Sequence, residues 1–174
     1  DWAVRLGLCS GIAVAPAIID SHAGVPGSGV LEKGQMMLVV GTSSVALALS
    51  DKSYYGKGIV GTVKNAIIPG YYALESGIAA VGDSLEWFVT NCVPESYYRQ
   101  AEKEGKNIHT YLSQKAAELN PCESPVMALE WLGGNKTPYV DGSLMGGFYG
   151  ITLQTKPEEL YRALIEATAF GTRR

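Results

Sequence analysis

Two carboxylates in the sequence lie where each could act on a substrate hydroxyl. Asp20 ends the apolar run at residues 12–19, and Glu75 ends the run at residues 67–74. An uncharged run of this length predicts a buried strand, which would hold the side chain that follows it rigidly. A general base needs such placement, because it must stay within hydrogen-bond reach of one particular proton. Asp20 is therefore a candidate general base, and Glu75 is a second candidate site residue.

The neighbours of Asp20 allow a simpler interpretation. Asp20, Ser21 and His22 are adjacent in the sequence, whereas a hydrolase triad is assembled in space from separate segments. Asp and Ser after a strand also commonly form a turn or begin the next helix. A purely structural role for Asp20 therefore stays open at this point.

A third group with chemical potential is the loop of Gly41, Thr42 and Ser43. It separates the short apolar runs 35–40 and 45–50, a pattern that predicts a β-hairpin. A loop of Gly, Thr and Ser lets an anion approach its backbone and offers N–H and O–H donors, as phosphate sites do. The alternative is an ordinary hairpin turn.

The helical pattern at residues 78–92 contains a glycine in its interior, Gly82. A glycine inside a helix costs about 1 kcal/mol relative to alanine. Gly82 therefore predicts a close approach by another backbone or by a ligand, with packing on a strand as the commoner reason. His109, near the start of a later helix, has no partner that the sequence indicates, and it is interpreted as a surface residue.

The order of the elements predicts an α/β domain with a mixed sheet that helices cover. After the hairpin and the run 67–74, the sequence predicts helices at 78–92, 94–104 and 107–119, strands at 126–131 and 148–153, and a helix from 155. Residues 51–65, rich in glycine and lysine, are interpreted as a solvated excursion without chemistry.

The composition fits one soluble domain, with 47% hydrophobic and 18% charged residues among 174. A net charge of -3 and a pI near 5.4 argue against a nucleic-acid partner. The three cysteines lack metal-ligand spacing, so we expect a reducing cytoplasm and no metal site built by protein ligands. No run is long enough to span a membrane and no signal-peptide pattern is present, so we expect no membrane partner.

A more specific pattern lies in the last third of the chain. The run GGFYGI at residues 146–151, with the spaced residues of 159–166, is similar to the second signature of the FGGY family of carbohydrate kinases. The resemblance to the C-terminal domain of that family spans nearly the whole chain. Residues 158–172 and the run WLGGN at 131–135 resemble the branch that phosphorylates ribulose, where arginine is usual at the position of Lys136.

The resemblance implies an actin-like, ribonuclease-H-type fold in which ATP and a sugar are held in a cleft between two domains. It implies ATP-dependent phosphorylation of a ketopentose, in particular of L-ribulose to L-ribulose 5-phosphate in L-arabinose catabolism. Because the chain begins without methionine and stops within a helical pattern, we expect residues 1–174 to be part of the C-terminal domain. The N-terminal domain and the final adenine-binding segment would lie outside it, and this piece alone would be inactive.

The resemblance also implies roles for individual residues. Asp20 matches the catalytic base that deprotonates the acceptor hydroxyl, and it would bind the sugar together with Glu75. The turn of Gly41, Thr42 and Ser43 matches the hairpin that contacts the nucleotide phosphates. The following helix matches two further nucleotide-binding positions, Gly82 and Glu86. Glycerol kinases have glutamine at the position of Glu86. The resemblance also implies that magnesium is bound to the ATP and not by a set of protein ligands.

Two alternatives stay open. The first is a kinase of the same family that acts on xylulose, glycerol or another polyol. The second is an actin-like nucleotide-binding protein without transferase activity, although two carboxylates at neighbouring strand ends favour an acceptor substrate. The whole protein could also form homo-oligomers.

Overall fold

The structure is a computed structural model that describes residues 2–15, 17–121 and 123–173. Within these ranges the helices are α1 (Trp2–Leu6), α2 (Asp20–Gly27), α3 (Gly82–Cys92), α4 (Glu95–Lys103), α5 (Ile108–Ala117) and α6 (Pro157–Arg173). The strands are β1 (Met36–Val40), β2 (Ser44–Ser50), β3 (Gly61–Lys64), β4 (Tyr72–Ile78), β5 (Met127–Leu129) and β6 (Gly147–Tyr149). None of the described helices is long and apolar enough to cross a lipid bilayer.

Four strands form one sheet in the order β1-β2-β4-β3, and each neighbouring pair is antiparallel. Short connections favour this arrangement, because a hairpin reverses the chain direction. Strands β5 and β6 form a separate antiparallel pair. The predicted α/β class is confirmed. The sequence also predicted a mixed sheet, but the ladders between the named strands of the described ranges are all antiparallel.

The predicted hairpin is confirmed. Strand β1 pairs with β2 from Met36 opposite Ala48 to Val40 opposite Ser44, which leaves three residues in the turn. Side chains alternate across a strand, and Leu47 and Leu49 of β2 pack against Val25 of α2 in one buried cluster. Helix α2 is thereby fixed to one face of the sheet.

A second buried cluster joins three helices. Phe88 of α3 packs with Leu112 of α5 and with Tyr161 and Leu164 of α6. Full burial of such a side chain contributes roughly 1.5–3 kcal/mol. This cluster fixes where α3 lies, and with it the positions of Gly82 and Glu86.

The strand predicted at residues 12–19 is wrong for the part that the structure describes. Residues 12–15 and 17–19 form no strand, Val14 is 86% exposed, and residue 16 lies outside the described residues. An extended segment becomes a strand when a neighbour takes its backbone hydrogen bonds, and no described residue forms a ladder with this one. Asp20 consequently begins helix α2 rather than following a strand.

The position predicted for Glu75 at a strand exit is also wrong. Strand β4 begins at Tyr72, so Glu75 lies at its centre, opposite Leu47 on one side and Gly61 on the other. The run 67–74 is divided at Gly70, whose φ of 91° is left-handed and turns the chain there. Strand β3 lies inside the predicted excursion at 51–65.

Candidate functional site

The turn of Gly41, Thr42 and Ser43 is held from behind by the first turn of α3. The amide of Val81 donates to the Thr42 carbonyl at 2.7 Å, and the amide of Gly82 donates to the Gly41 carbonyl at 2.9 Å. These contacts satisfy helix amides that otherwise have no partner within the helix. The hairpin turn and the start of α3 therefore form one rigid unit.

Gly82 makes this contact possible. A Cβ atom at residue 82 would lie 2.7 Å from the carbonyl oxygen of Gly41, closer than real Cβ contacts. The predicted close approach by another backbone is confirmed. Gly82 is the first residue of α3, however, and not an interior residue as the sequence pattern indicated, because Ile78 still belongs to β4.

The outer side of the turn carries unused donors. Thr42 is exposed and Ser43 is partly exposed. Neither hydroxyl forms a hydrogen bond with any residue in the described ranges. Because the turn carbonyls are directed to α3, these hydroxyls are the groups that a phosphate could meet first.

Glu75 has an ionic partner that the sequence did not indicate. The Nζ atom of Lys136 lies 2.9 Å from Oε1 of Glu75, and the two side chains are 31% and 33% exposed. Lys136 comes from the loop after β5. A partly buried, paired carboxylate on a strand has a fixed position and still has acceptor capacity for a ligand.

The loop that carries Lys136 is fastened to the same strand. Thr137 donates its hydroxyl to the carbonyl of Gly77 at 2.7 Å, beyond the point where β3 stops pairing with β4. The Ser76 hydroxyl lies 3.3 Å from the same Thr137 oxygen. Thr137 thus occupies the free edge of β4 and holds Lys136 beside Glu75.

Asp20 occupies the first position of α2, is exposed, and accepts a hydrogen bond from the Ser21 amide at 2.7 Å. Gly24 lies against Met37, and after α2 the chain returns past Leu49 to the start of β1. These contacts place the middle of α2 against β1 and the segment after α2 beside β2.

Glu86 lies one helical turn beyond Gly82 and is hydrogen-bonded to His109, a partner that the sequence does not indicate. Oε2 of Glu86 lies 2.9 Å from Nε2 of His109, and Thr90 donates to Oε1 at 3.2 Å. The hydrogen bond from His109 lowers the pKa of Glu86, and the hydrogen bond from Thr90 lowers it to a smaller extent. His109 also lies 3.0 Å, through Nδ1, from the hydroxyl of Tyr161. His109 is 38% exposed, in agreement with its interpretation as a surface residue, but it has two partners that the sequence did not indicate.

Two cavities adjoin these groups. One of about 240 Å³ has hydroxyl groups in its lining, from Ser44, Ser76 and Thr137, together with Lys57 from the segment that was expected to carry no chemistry. Another of about 470 Å³ lies beside α3, where Asp83 and Trp87 face Leu132 and Gly133. Both cavities lie next to predicted site residues in the sequence, but the residues predicted to bind substrate or nucleotide line neither of them.

No metal cage is built within the described ranges, where no three His, Cys, Asp or Glu side chains cluster. Cys9 and Cys92 are free thiols, and Cys122 lies outside the described residues. The donors at the turn are hydroxyls and amides, which suit phosphate oxygens rather than a cation.

Comparison with known proteins gives a consistent relationship. Residues 36–174 match the C-terminal domain model of the FGGY family of carbohydrate kinases. A ribulokinase from Anoxybacillus flavithermus is 47% identical over 174 residues, which are 100% of this chain and 31% of that protein. A ribulokinase from Halalkalibacterium halodurans is 46% identical over 173 residues, 99% of this chain and 31% of that protein. The chain therefore spans 31% of the length of these curated relatives.

Solved structures share the fold. A xylulose kinase from Rhodospirillum rubrum superposes with a TM-score of 0.77 and 26% identity, over 98% of this chain and 32% of that one. A gluconate kinase from Lactobacillus acidophilus gives a TM-score of 0.74 and 20% identity, with the same two coverages of 98% and 32%. These likenesses confirm the actin-like fold class that the sequence resemblance implied.

Proposed function

The chain belongs to the FGGY family of carbohydrate kinases, and we propose that the whole protein transfers the γ-phosphoryl group of ATP to L-ribulose, giving L-ribulose 5-phosphate and ADP. The observation that carries this proposal is the 47% identity to a ribulokinase over the full length of the chain. The xylulose kinase with the same fold is only 26% identical. L-Ribulose is therefore the acceptor to test first.

In this proposal the turn binds the nucleotide phosphates. The Thr42 and Ser43 hydroxyls donate to the β- or γ-phosphate, and Gly41, whose amide donates to the Ser43 carbonyl at 2.9 Å, lets the phosphate lie against the turn without a side chain in the way. Gly82 keeps the turn in place and lets the phosphates approach α3. Magnesium bound to ATP would neutralise phosphate charge, and phosphoryl transfer depends mainly on such neutralisation and on positioning.

The acceptor sugar is held and activated by the two carboxylates. Glu75 accepts hydrogen bonds from sugar hydroxyls, while Lys136, 2.9 Å away, fixes its orientation and balances its charge. Asp20 takes the proton of the acceptor hydroxyl as that oxygen attacks the γ-phosphorus and ADP leaves. The exposed position of Asp20 at a helix start supports this role, because the carboxylate is open to a substrate.

The rest of the site is proposed to come from parts of the protein outside this chain. The chain is expected to form part of a C-terminal domain, so that residues 1–174 alone do not phosphorylate a sugar. A cytoplasmic location is part of the same proposal, and the free thiols of Cys9 and Cys92 support it.

The experiment is an ADP-release assay on the whole protein with L-ribulose, D-xylulose, glycerol or no acceptor. We expect kcat/KM for L-ribulose to exceed the other values by at least about tenfold, a discrimination within the ordinary range for one binding pocket. A preference for xylulose or glycerol would replace the proposed substrate with another acceptor of the family. Nucleotide binding without any acceptor-dependent turnover would instead favour a non-catalytic actin-like protein.

A further inference from the structure

Three side chains from three helices form a continuous hydrogen-bonded chain beside the proposed nucleotide site. The Tyr161 hydroxyl of α6 lies 3.0 Å from Nδ1 of His109 on α5. Nε2 of His109 lies 2.9 Å from Oε2 of Glu86 on α3. Tyr161 and His109 are 52 positions apart in the sequence, and His109 and Glu86 are 23 positions apart.

The chemistry of the groups fixes the direction of each hydrogen bond. An ionised carboxylate only accepts, so Nε2 of His109 must carry the proton that it donates to Glu86. In the neutral imidazole, Nδ1 is then an acceptor, and Tyr161 donates its hydroxyl proton to it. Tyr161 is 2% exposed, and burial raises the pKa of its phenol, which keeps that proton in place. Tyr161 therefore fixes the tautomer and the ring orientation of His109.

Glu86 lies close to the turn that is proposed to bind the nucleotide phosphates. Gly82 contacts the turn through its amide, and Glu86 is four residues further on the same helical face, about 6 Å along the axis. Its side chain is 67% exposed and is therefore open to a ligand. A carboxylate repels phosphate but accepts hydrogen bonds from a vicinal diol, as acidic residues do at ribose rings in other nucleotide sites.

We propose that His109 is a positioning residue for nucleotide binding. Tyr161 holds the His109 ring in place, and His109 orients Glu86 so that this carboxylate accepts hydrogen bonds from the ribose hydroxyls. This inference rests on the proposed function, because it needs a nucleotide whose phosphates contact the turn. It assigns a role to the carboxylate that stands at position 86. His109 and Tyr161 touch no substrate themselves.

Two substitutions of the same residue separate the two hydrogen bonds of His109. Glutamine places its amide nitrogen near the position of Nε2, so His109→Gln keeps the donor to Glu86. Asparagine is shorter and retains an acceptor near Nδ1, so His109→Asn keeps the contact with Tyr161 and loses the one with Glu86. In the whole protein we expect His109→Asn to weaken ADP binding about 3- to 10-fold by calorimetry, and His109→Gln to stay within about twofold of wild type.

Further measurements distinguish positioning from a structural effect. The KM for the sugar should not change in either variant, and 2′,3′-dideoxy-ADP should bind equally to wild type and to His109→Asn, because it lacks the ribose hydroxyls. Tyr161→Phe keeps the ring that packs on Phe88 and removes only the hydroxyl, so this variant should fold. We expect it to lose less ADP affinity than His109→Asn does. Thermal melts compare the folds.

Equal ADP affinities in His109→Asn and His109→Gln would overturn the inference. So would a loss in His109→Asn that persists with the dideoxy nucleotide, or an equal rise in KM for sugar and ATP. ADP binding with the expected pattern but without sugar phosphorylation would contradict the proposed function alone. A protein that binds no adenine nucleotide would contradict both.

Discussion

At the scale of single residues, Thr42 presents an exposed hydroxyl on a turn that α3 holds from behind. We expect Thr42→Val to raise the KM for ATP, because valine keeps the shape and removes the donor. A hydrogen bond to a charged group contributes about 1.5–3 kcal/mol, so kcat/KM for ATP should fall about ten- to a hundredfold. Steady-state kinetics of the whole protein at saturating L-ribulose measure the effect.

The matched control is Thr62→Val on β3. The Thr62 hydroxyl is buried without a hydrogen-bond partner in the described structure, so its removal costs no contact and should leave the kinetics of ATP unchanged. If Thr42→Val behaves like Thr62→Val, the turn does not bind phosphate through this hydroxyl.

Some residues of the site could be predicted from the sequence and others could not. Gly82 carried a local signal, since a glycine in a helical pattern needs a reason, and the structure supplies one. The partners of Glu75 and Glu86 carried none, because Lys136 lies 61 positions from Glu75 and His109 lies 23 positions from Glu86. Spacing along a chain does not indicate contacts that only the packing of α3, α5 and the loop after β5 creates.

At the scale of elements, the contact between α3 and the hairpin depends on Gly82. We expect Gly82→Ala to destabilise the fold by about 1–3 kcal/mol, because the new Cβ overlaps the Gly41 carbonyl oxygen and cannot be relieved by a side-chain rotation. The displaced turn should also weaken nucleotide binding. Urea unfolding and ADP calorimetry on the whole protein measure the two effects.

The control for this substitution is Gly27→Ala at the end of α2. A Cβ at residue 27 meets no atom within 4 Å, so alanine should be neutral or stabilise by up to about 1 kcal/mol through its helix propensity. Equal stability of the two variants would show that the backbone contact at Gly82 is not limiting.

Local signals account for the elements that were predicted correctly. The helix predicted from residue 107 is confirmed as α5, and Asn107 caps it by accepting a hydrogen bond from the Thr110 amide at 2.8 Å, the usual role of asparagine at a helix start. The hairpin of β1 and β2 was also predicted correctly, from its Gly–Thr–Ser turn. The segment at 12–19 failed, because an apolar run indicates only that burial is favourable and a strand needs a partner elsewhere in the fold.

At the scale of the whole molecule, the proposed chemistry needs groups from more than this chain. The chain matches the C-terminal family domain from residue 36 onward and spans 31% of its curated relatives. Within it, the proposal assigns phosphate binding to the Gly41–Thr42–Ser43 turn and proton abstraction to Asp20 at the start of α2. The remaining contacts to ATP and the sugar are proposed to come from the rest of the protein.

The most direct test is the turnover number of Asp20→Asn in the whole protein with L-ribulose and Mg-ATP. Asparagine keeps the size and one acceptor oxygen but removes the basic site, so turnover should fall by about 10²–10⁴-fold, roughly 3–5 kcal/mol of transition-state stabilisation, while substrate binding changes little. Asp51→Asn, at an exposed residue paired with Lys33, is the control and should keep full turnover. A folded Asp20→Asn protein that retains more than about a tenth of wild-type turnover would contradict the account, because asparagine serves equally well where an aspartate only begins a helix.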